Sequence, residues 1–495
     1  MSLLNLVSFA GIFGLCAIAW LFSEERSLKV FPWRIVVTGI LLQLALGAMV
    51  FVVPGTREAL QIFSNLLDGV FLAADAGARF VFGQTIVPVP GQPAGVNLGY
   101  IFAFRALPTV IFFSGLMALL QNLGVIQAIT NVFAKAFYSV MQLSGAEALS
   151  GAANIFVGIE AAIVVKPYLP KMTRSELCAI LSCCFGTAAS STLAIYVSFL
   201  RPVFPNILGH LVSASIIAIP ACFVLSKILV PETEKPLTMG GIPREEHKWL
   251  TEDGEMLEEV IQIEGERISP LDAAIMGALD GVKMAVSIAA VLILILGLVS
   301  LINQIFGGLA TISGPIGAIF KVVTLANIAG VLFLPFTFLT GVSLEWNELW
   351  ESSVIIGRRL LETAIPPYQA LAAAAARPEN PISDRAVLII SYALSGFAHL
   401  ASVGIFVGGT IALIPSRRKD ISELGWKALF VGTLATLMIA CVAGVFDMGN
   451  PGILGERSAP AKSIVAPSPK PSVLAVPSVP SSPKASPKAV KSPRP

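Results

Sequence analysis

Charge is scarce in this chain. Asp, Glu, Lys and Arg make up 13% of its 495 residues, about half the ~25% usual in a soluble globular domain. Hydrophobic residues make up 55% and mean hydropathy is +0.81. That leaves too little polar surface to cover a water-soluble body of this size. Histidine is nearly absent. His210, His247 and His399 are far apart and form no HExxH pattern, so zinc chemistry has no support. The six cysteines (Cys16, Cys178, Cys183, Cys184, Cys222 and Cys441) all fall in apolar segments and read as small packing residues. No basic residue precedes the first apolar run, which therefore lacks the charged front of a secretory signal and reads as a retained span. No nucleophile clearly stands beside a base, as an intramembrane enzyme would require. No nucleic-acid partner is expected.

What the chain does have is a series of apolar runs of membrane-spanning length. Spans are expected near 3–23, 33–54, 99–122, 172–199, 204–230, 271–303, 386–414 and 424–447. Two further regions are interrupted: 140–169 around Asn154, and 348–376, broken by Pro366 and Pro367. The stretch 305–345 is apolar but rich in Gly and Pro. These elements predict an all-α polytopic membrane protein. Its expected divisions are 1–98 (first spans and an external segment), 99–232 (first scaffold span, first broken hairpin and a broken helix), 233–270 (cytoplasmic connector with a surface helix at 250–260), 271–450 (second half) and 451–495 (a Pro/Ser/Lys-rich tail that cannot build a core). Basic clusters at Arg26, Lys29 and Arg34, at Lys166, Lys171 and Arg174, and at Arg417, Arg418 and Lys419 mark the cytoplasmic side. The first hairpin then enters from the cytoplasm and the second from the opposite face.

Interrupted helices leave backbone groups unpaired, and these persist at membrane depth only inside protein or against a wet cavity. There they become binding devices, which is the logic of secondary transporters. Asn154, Val157 and Thr187 are the candidate ion ligands: a side-chain amide oxygen, a backbone carbonyl and a hydroxyl, a hard oxygen set suited to sodium. Glu160 is the most exceptional residue, because an uncompensated charge in such a segment is severely unfavourable. It either accepts hydrogen bonds from substrate hydroxyls or pairs with Lys166 or another basic residue. Glu362 and Thr363 form the corresponding polar pair in the second interrupted region, with Arg358 and Arg359 near enough to pair with Glu362. His399 and Ser402 share a helical face, and a break at Gly396 would aim Phe397 into the same cavity.

The segments "DAGARFVFG", "FAFRALPTVIFFSGLMALL", "ANIFVGIEAAIVVKPYLPKMTRSEL", "LVPETE" and "YALSGFAHLASVGI" resemble those of the concentrative nucleoside transporter family, and the likeness runs from about Phe51 to Phe446. The resemblance implies a fold with two re-entrant hairpins and broken transmembrane helices, assembled as a homotrimer in a bacterial inner membrane. It implies cation-coupled import of nucleosides by alternating access, with Na+ favoured and H+ as the other coupling ion. It places Gly158 and Glu160 at the nucleoside site of the first hairpin and Asn154, Val157 and Thr187 at the sodium site. Phe397, His399 and Ser402 fall at ribose- and base-facing positions, and Thr363 and Ala364 match a paired Asn and Glu of the second hairpin. Several polar positions depart from the family pattern. "FVGIEAA" stands for "FVGQTEAP", "TAI" for "NEF", His399 for an Asn, and Arg359 for a Lys. The lost ligands argue against standard ribonucleosides as preferred cargo. A different small polar solute on the same fold, or a membrane sensor that does not transport, are the alternative readings.

Overall fold

The computed structural model describes residues 2–53, 69–88, 101–156, 158–166, 168–239, 249–250, 256–257, 269–449 and 454–455. The rest of the external segment, most of the polar connector with the interior of its expected surface helix, and the expected core-less tail lie outside the described residues. The helices are α1 (Leu3–Leu21), α2 (Trp33–Phe51), α3 (69–82), α4 (Phe102–Arg105), α5 (Leu107–Asn122), α6 (Val125–Met141), α7 (Gly145–Ala153), α8 (Arg174–Gly186), α9 (Ser190–Leu200), α10 (Ile207–Leu229), α11 (Pro270–Ala310), α12 (Pro315–Phe320), α13 (Leu325–Leu339), α14 (Trp346–Glu362), α15 (Ile365–Ala375), α16 (Asp384–Leu394), α17 (Leu400–Leu413) and α18 (Arg418–Phe446). Among the described residues, six helices are long and apolar enough to cross a membrane.

Four expectations are corrected by the backbone. The runs 172–199 and 386–414 are not continuous spans but broken helices of the kind the family resemblance implies, the second parted at the expected Gly396. The first is α8 and α9 with Thr187–Ala189 unwound between them, and the second is α16 and α17 with Ser395–His399 between them. The second hairpin breaks at Thr363 and not at the prolines. Pro366 and Pro367 occupy the first turn of α15, where a missing N–H costs nothing. The described ends of the expected surface helix are extended, Trp249 pairing with Leu257 and Leu250 with Met256 in an antiparallel ladder. Asp253 and Gly254, in the middle of that stretch, lower its helix propensity.

Capping residues set where the first hairpin and the helix after it begin. Ser144 accepts from the Glu147 amide while Glu147 reaches back to the Ser144 amide, and Thr173 and Glu176 repeat the arrangement at the start of α8. The two boxes are tied together by Ser144 Oγ donating to Glu176 (2.6 Å). Lys227, on α10, lies 2.5 Å from Glu147 and 3.2 Å from Glu232. Lys227 and Glu147 are both buried, so removing one partner strands a charge. Lys227→Met should therefore cost about 3–5 kcal/mol, read as a lower melting temperature in detergent. An unchanged melting point would remove this pair from the account of stability.

The two halves repeat one pattern: hairpin, broken helix, long helix. α7 and its return arm, the 3-10 segment Ile159–Val165, correspond to α14 and α15; α8–α9 correspond to α16–α17, and α10 to α18. The halves are interleaved. The return arm of the first hairpin packs on α17, and α15 packs on α9. α8 and α16 each pack against both α10 and α18. α10 and α18 form the centre, with 89% and 83% of their most apolar windows buried, whereas the long α11 is 6% buried and lies at the rim against α5.

Candidate functional site

The first hairpin turns where its sequence stops supporting a helix. α7 ends at Asn154, its C-cap, and a bend leads through Gly158 to the return arm. Ser150 Oγ donates to the Ala161 carbonyl (3.1 Å), stapling the two arms. Asn154 is fully buried. Its Nδ2 donates to the Ser150 carbonyl at 3.1 Å, while its Oδ1 has no hydrogen-bond partner. A buried acceptor without a donor is costly, and a cation is one group that would satisfy it. Gly158 is buried and its carbonyl accepts from the Ala161 amide (3.1 Å). Val157 and the side chain of Glu160 lie outside the described residues; the backbone of Glu160 is in the return arm.

The two unwound segments meet directly. Thr187 closes α8, its amide and its hydroxyl both donating to the Cys183 carbonyl at 3.2 and 2.8 Å. Its own carbonyl, freed by the break, accepts from the Phe397 amide at 3.2 Å. Gly396 makes this approach possible. A Cβ there would lie 2.8 Å from the carbonyl oxygens of both Phe185 and Gly186 and 2.6 Å from the Thr436 methyl. The C-terminal ends of α8 and α16 therefore converge on one point, each bringing partial negative charge. The Thr187 oxygens and Asn154 Oδ1 are hard oxygen atoms, the kind of group that holds an alkali cation at a helix break.

His399 is the N-cap of α17. Its ring accepts from the Ser402 amide at 3.3 Å and lies 2.9 Å from the Ser402 hydroxyl. Phe397 is half-buried, its ring 6.1 Å from that of His399 and near perpendicular to it. Phe397, His399 and Ser402 are thus brought together, with Thr187 against the same segment. On the second hairpin Thr363 sits at φ 71° and ψ 178°, a conformation almost confined to glycine and costing about 1–3 kcal/mol. Its hydroxyl is buried without a partner. Strain and an unmatched polar group thus coincide at the tip.

Glu362 takes the alternative course weighed from sequence. Arg358 grips it through Nε (2.9 Å) and Nη2 (2.7 Å). The pair faces α11, where Ser300, Asn303 and Gln304 share with it a cavity of ≈ 450 Å³. This polar stretch of α11 was not singled out from sequence, although three amides and hydroxyls within five residues of an apolar helix are a readable signal. Also missed was the stack of Tyr196 on α9 against Tyr368 on α15, ring centroids 4.4 Å apart. It lies where the second hairpin crosses the first half.

Comparison with known proteins follows this architecture. Residues 10–85 match the Na+ dependent nucleoside transporter N-terminus, 103–203 the nucleoside recognition "Gate" family, and 210–444 the Na+ dependent nucleoside transporter C-terminus. The chain is 34% identical over 444 residues to an uncharacterized transporter of Haemophilus influenzae, covering 89% of this chain and 97% of the relative. It is 31% identical over 444 residues to the nucleoside permease NupC of Helicobacter pylori, covering 89% and 98%. Among solved structures it is similar to CNTnw in an inward-facing substrate-bound state, with a TM-score of 0.76, 35% identity and coverage of 91% and 99%. A variant of CNTnw in an outward-facing state gives 0.75, 35%, 90% and 98%.

Proposed function

The chain belongs to the concentrative nucleoside transporter family, and from that premise we propose that it imports nucleoside-like solutes in symport with sodium. The observation that carries the coupling is the buried Asn154 Oδ1 without a donor, on the hairpin whose return arm packs against α8 and α17. Asn154, Val157 and Thr187 would hold the ion, which supplies the positive charge that the buried Asn154 Oδ1 lacks. With that charge present, the hairpin tip and the α8 break hold their oxygens together at lower cost, and the neighbouring substrate groups are organised. Gly158, Glu160, Thr363, Phe397, His399 and Ser402 form the proposed solute site: an aromatic face for a flat ring, with hydrogen-bonding groups for its edges and hydroxyls. Glu362 belongs to this set only in a state that releases it from Arg358. Tighter joint binding of ion and solute than of either alone is what couples their movement.

Structures of the similar transporter CNTnw in inward- and outward-facing states support alternating access as the route. We place the protein as a homotrimer in a bacterial inner membrane. The departures at "TAI" and His399 favour a cargo that differs from the common ribonucleosides. The deciding experiment is uptake of tritiated uridine and a panel of nucleosides by the full chain in sealed proteoliposomes. Sodium and proton gradients are imposed separately. Saturable accumulation that requires the inward sodium gradient is expected. Flux that neither saturates nor needs a gradient would indicate a channel, and binding without accumulation a sensor.

A further inference from the structure

Arg359 has no task in ion binding. It is fully buried and projects about 100° around α14 from Arg358, away from the Glu362 pair. Its Nη1 donates to the Ala393 carbonyl and to the Thr436 hydroxyl (2.9 Å). Those contacts put the guanidinium at the C-terminal end of α16, beside the crossing of the two breaks. A cation there suits the helix dipole, which accounts for Nη1. It leaves the other edge unexplained.

Nε and Nη2 of Arg359 have no hydrogen-bond partner. These two N–H groups lie on the same edge of the planar guanidinium and point the same way. That edge is the fork that grips a carboxylate or phosphate with two parallel bonds. Arg358 shows the same fork in use, its Nε and Nη2 both on Glu362. Among the described residues no carboxylate pairs with Arg359. Tyr196, Tyr368 and His399 lie close enough to feel its charge, and none of them carries formal negative charge at neutral pH. The adjoining hairpin tip, Thr363 and Ala364, is buried and contains no acid. A buried cation with two unmet donors is strongly unfavourable, so an anion is its natural complement.

We propose that the transported solute supplies this anion: a nucleoside-sized molecule carrying a carboxylate or phosphate, whose paired oxygens dock on Nε and Nη2 of Arg359. The inference rests on the transporter reading above and names the cargo class for the same site. His399 and Phe397 then meet the ring, and Arg359 fixes the charged end.

The test uses the full chain in sealed proteoliposomes with an inward sodium gradient. The probes are tritiated uridine, uridine 5′-monophosphate and orotate; the last two separate a phosphate from a carboxylate. In the unmodified protein, at least one anionic probe should bind at least ~10-fold more tightly than uridine, since a charge-assisted pair is worth more than a tenfold difference. Arg359→Gln should shrink that ratio at least ~10-fold, and Arg359→Lys, which keeps the charge without the fork, should fall between. The proposal is overturned if the unmodified protein binds uridine as well as both anions, a measurement that does not depend on any variant folding. It is also overturned if Arg359→Gln keeps the anion preference. Sodium-driven uptake of uridine alone would sink this inference and leave the transporter reading intact; failure of every probe to accumulate or bind would sink both.

Discussion

Asn154→Ala should reduce uptake in a sodium gradient to the level seen without sodium. The side chain does two separable things. Nδ2 bonds to the Ser150 carbonyl at 3.1 Å, closing the end of α7, while Oδ1 stands unmatched in a fully buried place. Alanine removes both. The hydrogen bond is worth about 1 kcal/mol, too little to unfold the hairpin, so loss of coupling would report the missing oxygen. Asn154→Asp separates the two roles, since it also loses Nδ2 but keeps oxygen at the site. It should retain sodium dependence, with uptake well above that of the alanine variant. Initial uptake rates across a sodium titration read the difference. If the two variants behave alike, or if Asn154→Ala keeps its dependence on sodium, the residue is a structural cap and the ion is held elsewhere.

Gly396→Ala should disable the protein by a different route. A methyl group there meets two backbone carbonyl oxygens at 2.8 Å and the Thr436 methyl at 2.6 Å. The Thr436 side chain can yield, but the carbonyls of Phe185 and Gly186 belong to the end of α8 and cannot move without separating the breaks. The Phe397–Thr187 bond would go with them. Overpacking of this kind costs about 1–3 kcal/mol, and the lost backbone bond about 1 kcal/mol more. A fall in melting temperature and near-complete loss of transport are expected together. Gly404 offers the control, because a Cβ there has nothing within 4 Å and alanine should be tolerated. A Gly396→Ala protein that melts and transports like the parent would mean that the crossing is not the pivot of the site.

Most of the spans were legible because a run of apolar residues has one stable destination. The break at Gly396 was legible, and the family resemblance implied broken helices; the point where α8 gives way inside 172–199 was harder. Gly, Ala, Ser and Thr in "FGTAASS" suit close helix packing as well as unwinding, and the choice is made by a bond between Thr187 and Phe397 that no local pattern records. The helix α6 went unpredicted because Gln127, Asn131 and Lys135, four residues apart, line one side of it with polar groups, leaving an amphipathic element and not a span. At the site, the Arg358–Glu362 pairing could be read from i,i+4 spacing. That Arg359 would turn the other way could not, since it depends on how α14 is rotated against α16 and α18.

The interleaving of the two halves has a consequence for biosynthesis. The first half leaves the ribosome with an unwound segment whose Thr187 carbonyl has no partner until Phe397 is made, about two hundred residues and on the order of tens of seconds later at ordinary elongation rates. During that interval the nascent chain must keep α8 and α9 apart from lipid, or hold them temporarily as one continuous helix that reopens when its counterpart arrives. Late insertion of α16, and not the hydrophobicity of the early spans, then becomes the step at which assembly is committed.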